Sequence, residues 1–208
     1  MKKILVISSS LRHDSNSDVL AEAFAKGAAE AGNEVESITL KGKNLHFCTG
    51  CLACQKTQKC VIADDAPAIV DKMYAADVIA FATPIYYYGM SGQLKTLLDR
   101  ANPLFTTDYH FRDIYFLSSA AEEDPQTPER AVTGLGGWIE CFENARLAGS
   151  VFAGGVNAPG DIKGHAGSGS GISDGKGCLT VHRQANFFNL QPPHFQQKLP
   201  WRKILTVL

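Results

Sequence analysis

A doubly wound α/β domain, with five parallel strands in the order 2-1-3-4-5, is the fold the sequence predicts. Three observations carry that reading. Short apolar runs such as Ile4–Ser8, Val78–Ala82 and Ile114–Ser118 are continuous rather than alternating, as strands buried on both faces of a parallel sheet must be. Segments of helical length separate the strands. A hydroxyl-rich loop follows the first run, at the edge where such sheets bind ligands.

The elements follow in order. Ile4–Ser8 is the first strand and Ser9–Ser17 the loop after it. A helix then runs from about Ser17 to Ala31, with Val19, Leu20, Ala23, Phe24 and Ala28 on its apolar side, until Gly32 stops it. Asn16 or Ser17 is placed to cap this helix. Glu34–Leu40 is the second strand, and a cysteine-rich loop spans about Asn44–Ala63. Asp64 and Asp65 suit the positive end of a helix reaching about Ala76. Val78–Ala82 is the third strand and leads into the loop Thr83–Gly89. Met90–Asn102 is helical, with Leu94, Leu97 and Leu98 on one face. Ile114–Ser118 is the fourth strand. Thr127–Leu147 reads as a helix weakened by Gly134, Gly136 and Gly137, and Val151–Gly154 as the fifth strand. Right-handed crossovers then place the ligand outside the carboxyl ends of the strands, at the switch between strands 1 and 3. The loops at that edge are Ser9–Ser17, Thr83–Gly89 and Ser118–Asp124.

Composition narrows the function classes. With 208 residues, 45% of them hydrophobic, the chain can bury a core. A net charge of −1 argues against nucleic acid or an anionic membrane surface as partner. No apolar run approaches the roughly 20 residues of a membrane span. The apolar run after Lys2-Lys3 is too short for a signal peptide, so a cytoplasmic protein is expected. Six cysteines in that setting point to metal or redox chemistry rather than structural disulfides.

Three motifs carry chemistry. In Ser8-Ser9-Ser10-Leu11-Arg12-His13-Asp14-Ser15-Asn16-Ser17, hydroxyls, an amide, an arginine and the N–H groups of a helix start make a phosphate site. Neither a dinucleotide fingerprint nor a P-loop is present, and the loop suits a terminal monophosphate such as that of FMN. The tyrosines in Thr83-Pro84-Ile85-Tyr86-Tyr87-Tyr88-Gly89 serve well against a flat heteroaromatic ring, or against a neighbouring helix or subunit. Ser118-Ser119-Ala120-Ala121 offers small residues and amides to the polar edge of such a ring, while Glu122-Glu123-Asp124 reads as a solvated turn. Cys48, Cys51, Cys54 and Cys60 form C-x2-C-x2-C-x5-C, whose first three positions match the compact run of bacterial ferredoxins. A cluster on these four, free thiols and disulfides all remain open; zinc fits the spacing less well. Cys141, placed in a helix, and Cys178 read as incidental. His46, His110 and His165 show no evident partner.

These residues resemble the flavodoxin-like NAD(P)H-dependent FMN reductases, and in particular the iron–sulfur flavoproteins. The resemblance covers about residues 1–165. It rests on Ser9–Ser17, on the cysteine run continuing into Val61-Ile62-Ala63-Asp64-Asp65, and on Thr83-Pro84-Ile85-Tyr86 followed by Gly92-Gln93-Leu94-Lys95. It implies FMN held by the three loops, NAD(P)H as electron donor, a 4Fe–4S cluster on Cys48, Cys51, Cys54 and Cys60, and assembly as homodimers or homotetramers. Ser9, Arg12, Ser15, Asn16 and Ser17 would then bind the phosphate. Pro84, Ile85, Tyr86 and Tyr87 would line the isoalloxazine, with Ser119 and Ala120 near its pyrimidine edge. The family's first loop begins Gly-Ser-Pro-Arg, whereas this one is longer, Ser8-Ser9-Ser10-Leu11-Arg12.

The function expected is an FMN-dependent oxidoreductase. It would pass electrons from NAD(P)H or a reduced carrier such as ferredoxin to a quinone, flavin or other small acceptor, with the cofactor carrying the chemistry. Two alternatives are a flavodoxin-like electron carrier, disfavoured by a charge near zero, and a zinc-stapled module that has lost its flavin.

Residues 166–208 differ in character from the flavodoxin-like domain of residues 1–165. Ala166-Gly167-Ser168-Gly169-Ser170-Gly171 reads as a linker, and the apolar pattern of a last helix is absent. One reading is a natural extension that docks with its own aromatic residues. The other is a frameshift: with one extra nucleotide after the His165 codon, permitted codons read in the alternative frame give Pro-Ala-Val-Ala-Ala-Ala-Tyr-Gln-Met-Gly-Lys-Ala-Ala and a stop, a plausible final helix.

Overall fold

The computed structural model describes residues 1–164 and the backbone of residues 179–182. Its strands are β1 (Lys3–Ser8), β2 (Glu34–Thr39), β3 (Val78–Tyr86), β4 (Gly89–Met90), β5 (Asp113–Ser119), β6 (Arg146–Ala153) and β7 (Leu179–His182). The parallel sheet runs β2-β1-β3-β5-β6, the expected 2-1-3-4-5 arrangement. β7 pairs antiparallel with β6, and β4 forms a hairpin with β3.

Period-2 alternation sends successive strand residues to opposite faces. Leu5, Ile7, Ile79, Phe81, Ile114 and Phe116 pack with Ile69, Met73, Leu94, Leu97, Leu135 and Ile139. Those partners come from α3 (Ala66–Ala75), α4 (Gly92–Arg100) and α5 (Glu129–Ile139). Ile4, Val6, Val78, Ala80, Ala82 and Leu117 face the other way, onto α1 (Asn16–Glu30). Among the described residues, three helices therefore cover one face and one helix covers the other. No helix among the described residues is long and apolar enough to cross a membrane.

The expected boundaries shift in five places. Ser15, rather than Asn16 or Ser17, caps α1, its Oγ accepting from Asp18 N at 3.0 Å. The cysteine loop contains a short helix, α2 (Ala53–Thr57), entered and left through left-handed residues Leu52 and Gln58. β3 runs on to Tyr86 and folds back through Tyr87 and Tyr88, so Thr83–Gly89 is largely a hairpin rather than a loop. The helix expected over Thr127–Leu147 is α5 alone. Phe142 turns inward onto the core, Asn144 N donates to the Tyr109 hydroxyl at 3.0 Å, and Arg146 opens β6 by pairing with Asp113 at 2.9 Å. Cys141 accordingly follows α5 instead of lying within a helix. The linker, Cys178 and His165 lie outside the described residues.

Candidate functional site

The carboxyl ends of β1, β3, β5 and β6 surround a cavity of about 230 Å³. It is lined by Ser10, Arg12, Ser15, Asn16 and Ser17 after β1, by Pro84, Ile85 and Tyr86 of β3, by Ser119, Ala120 and Ala121 after β5, and by Val156, Asn157 and Pro159 after β6. The switch point between β1 and β3 thus brings together nine of the eleven residues expected to hold a cofactor. Among the described residues, Arg12 is the only charged side chain in the lining.

α1 sets the floor. Its first residues, Asn16 and Ser17, line the cavity, at the end of a helix where backbone N–H groups lack intrahelical partners. Ser15 caps it, and the Ser17 and Ser119 hydroxyls meet at 3.1 Å, joining the first and third loops. Two of the expected residues have a further role. The Arg12 Nη1 donates to Asn157 O at 2.9 Å. The Asn16 amide donates to Ala158 O at 3.0 Å and accepts from Ile162 N at 3.1 Å. Both side chains therefore hook the segment after β6 over the cavity. That fourth wall was missed in the sequence, although Asn157-Ala158-Pro159-Gly160 is a turn after a parallel strand and so belongs at this edge.

Ser9 and Tyr87 are not brought to the cavity. Ser9 is fully buried behind it; its Oγ donates to Ala82 O at 3.1 Å and accepts from Ser91 Oγ at 2.9 Å. Ser91 in turn caps α4 and takes its backbone N–H to Thr83 Oγ1 at 3.0 Å. Ser9 is thus a strut between the first and second loops. Tyr87 projects wholly into solvent at the hairpin tip, and Tyr88 lies under the Arg130 guanidinium at 5.2 Å. Tyr86 alone of the three tyrosines lines the cavity, half-exposed.

Comparison with known proteins bears on the family and the fold. A family model described as NADPH-dependent FMN reductase matches residues 2–126. The chain belongs to the NADPH-dependent FMN reductase family. This family member is 42% identical over 102 residues to an iron-sulfur flavoprotein of Methanocaldococcus jannaschii, a match covering 49% of this chain and 53% of that protein. It is 37% identical over 108 residues to an iron-sulfur flavoprotein of Archaeoglobus fulgidus, covering 52% and 55%. The chain spans about half the length of the curated relatives it matches. Its fold is that of an NAD(P)H:quinone oxidoreductase from Methanothermobacter marburgensis, with a TM-score of 0.62, 20% identity and coverage of 77% of this chain and 87% of that one.

The four cysteines of the run in this FMN-reductase family member stand in three different settings. Cys48 and Cys51 are exposed, Cys60 is half-buried, and Cys54 is buried with its Sγ accepting from Asn102 Nδ2 at 3.2 Å. The Ala53 N–H and the Thr49 hydroxyl hold the Cys51 thiol below its usual range. Among the described residues no three His, Cys, Asp or Glu side chains converge on a metal position. The donors as placed do not fit a four-thiolate cluster.

Arg100 holds the base of this loop. Its Nη1 donates to Asp64 Oδ2 at 2.6 Å and to His46 O at 2.7 Å; its Nη2 donates to Asp64 Oδ1 at 2.9 Å and to Ile62 O at 3.1 Å. Burial works against the Asp64 charge, but Arg100 and the His46 and Ala66 N–H groups outweigh it and hold the carboxyl well below the usual range. His46 is not partnerless, since its Nδ1 lies 3.3 Å from Asp64 Oδ2; nor is His110, whose ring meets Tyr74 at 5.4 Å.

Proposed function

We propose that this protein is an FMN-dependent oxidoreductase that takes electrons from NAD(P)H and delivers them to a quinone, flavin or other small acceptor. The observation that supports the reading best is the lining of the cavity. It offers one arginine, serine hydroxyls and a helix start, with no carboxylate among the described residues, which suits a phosphate dianion. The donor set fits FMN. Arg12, Ser10, Ser15 and Ser17 would hold the phosphate. Asn16 would position the segment Asn157–Ile162 around it. Pro84, Ile85 and Tyr86 would flank the ring, with Ser119 and Ala120 at its polar edge.

The cofactor supplies the hydride and electron chemistry when bound. The protein's task is to bind, orient and partly desolvate it, and among the described residues no Asp, Glu, His, Lys or Cys lines the cavity to act as acid or base. A 4Fe–4S cluster on Cys48, Cys51, Cys54 and Cys60 is supported by their spacing and by what the relatives are called. It requires the loop to close around it. Iron and acid-labile sulfide analysis after anaerobic purification tests it. Reductase activity is tested by NADH and NADPH oxidation with a quinone acceptor. Turnover that depends on added FMN and falls with Arg12→Gln supports the reading, whereas FMN bound without turnover would favour an electron carrier.

A further inference from the structure

Two-electron reduction of a quinone takes up a hydride and one further proton. The cavity has few groups that could give that proton. Among the described residues, its lining holds no carboxylic acid, imidazole, ammonium or thiol. Arg12 keeps its protons, and the amides of Asn16 and Asn157 are not acids in water. The serine hydroxyls are weaker acids than a phenol, and each is engaged at the loop ends. Ser10 Oγ accepts from Arg12 N at 3.3 Å, Ser15 Oγ accepts from Asp18 N, and Ser17 and Ser119 bond to each other. Tyr86 is the one phenol in the lining.

The hairpin presents that phenol. Tyr86 ends β3 and pairs with Gly89 across a two-residue turn. The left-handed turn sends three consecutive tyrosines to three places: Tyr86 to the cavity, Tyr87 into solvent and Tyr88 under Arg130. The Tyr88–Arg130 contact ties the tip to α5, so Tyr86 rides on a held hairpin rather than a loose loop. Its ring is half-exposed, and its hydroxyl makes no hydrogen bond among the described residues. The Tyr109 hydroxyl, by contrast, is occupied by Asn144 N.

We infer that Tyr86 is a catalytic acid, handing its hydroxyl proton to the oxygen of a quinone bound against the cofactor. The inference rests on the FMN reading and names acceptors that take a proton on oxygen as the class this site serves. The quinone gains two electrons and one proton as a hydride from the reduced cofactor, which is oxidised. The Tyr86 O–H bond breaks and an O–H bond forms on the quinone oxygen. The hydroquinone leaves, and water, which reaches the half-exposed ring, returns a proton to the tyrosinate. Giving and receiving oxygens are both phenolic, so the transfer is close to balanced, the condition in which general acid catalysis is efficient.

Tyr86→Phe keeps the ring and removes the hydroxyl. The FMN-loaded full chain and this variant are reduced with dithionite and mixed with menadione, a quinone, or with ferricyanide, which takes single electrons and no proton. The menadione rate should fall about 100-fold in Tyr86→Phe, and the ferricyanide rate should stay within about twofold. A second readout involves no turnover. Xanthone, a flat ketone that resists reduction, should bind the oxidised, FMN-loaded variant about 3- to 10-fold more weakly, as one lost hydrogen bond predicts. An unchanged menadione rate, an equal fall with ferricyanide or an unchanged xanthone affinity would each overturn the role of Tyr86 and leave the FMN reading standing. A chain that takes up no FMN would overturn both.

Discussion

Arg100 grips Asp64 in a two-pronged ion pair, Nη1 to Oδ2 at 2.6 Å and Nη2 to Oδ1 at 2.9 Å, with neither side chain exposed to solvent. The pair closes a link that runs the length of α4. Ser91 at the start of that helix is tied to Ser9 and Thr83 beside the cavity, and Arg100 at its end is tied to the base of the cysteine loop. Removing one partner leaves a buried charge unmatched. Arg100→Met should therefore cost about 3–5 kcal/mol. The double change Arg100→Met with Asp64→Leu should cost clearly less than the sum of the single ones. Urea unfolding of the four proteins measures both, and additive losses would mean that the pair is not coupled as seen.

The same pair gives the protein an acid limb. The folded-state Asp64 and Asp113 carboxyls are both held below their usual range, Asp113 by Arg146 and Lys2 against the opposing effect of burial. A depressed folded value means that the unfolded chain binds more protons as pH falls. The stabilisation is thus complete above about pH 5 and is lost progressively below about pH 4. Asp64→Asn should be less stable at neutral pH and show a shallower loss of stability between pH 5 and 3. An unchanged slope in pH-dependent unfolding would contradict the assignment.

Asn16 is a positioning residue whose amide serves both partners in the segment after β6. Asn16→Asp sets a carboxylate against Ala158 O and beside the proposed phosphate position. FMN affinity should fall about 10- to 100-fold, from repulsion between the new carboxylate and the phosphate added to the lost hydrogen bond. Riboflavin, which lacks the phosphate, should lose less. Fluorescence titration of both ligands decides it, and equal losses would mean that the effect is not directed at the phosphate.

The hairpin tip is strained. Tyr87 and Tyr88 hold φ of 49° and 64°, the left-handed values that a two-residue turn between Tyr86 and Gly89 demands. Asparagine and glycine meet that demand at lower cost. Tyr87→Asn with Tyr88→Gly should raise stability by about 1 kcal/mol, the relieved strain being partly offset by loss of the Tyr88–Arg130 contact. A lower urea midpoint would show that tyrosines are needed there for stability.

The parallel sheet was legible because β1, β3 and β5 hold continuous apolar runs and α4 shows Leu94, Leu97 and Leu98 at helical spacing, all buried as expected. The α5–β6 boundary was not. Glycines weaken the helical pattern there, and what ends the helix is contact of Phe142 and Asn144 with the distant Tyr109. The first three walls of the cavity follow from the rule that ligands sit at strand carboxyl ends. The roles within them do not, since Ser9 and Tyr87 are serine and tyrosine like their neighbours and only packing turns one inward and the other outward. Arg100 reads in sequence as an ordinary cation in a helix's last turn. Its partnership with Asp64 spans 36 positions and has no local signal.

Titration of the purified, flavin-free protein with FMN and with riboflavin tests the central claim most directly. A single FMN should bind with quenched fluorescence and at least about 100-fold more tightly than riboflavin, the difference shrinking in Arg12→Gln, since two to three charge-assisted bonds to phosphate are worth that much. A protein that takes up no FMN, or that binds both ligands equally, would contradict a phosphate grip at the start of α1.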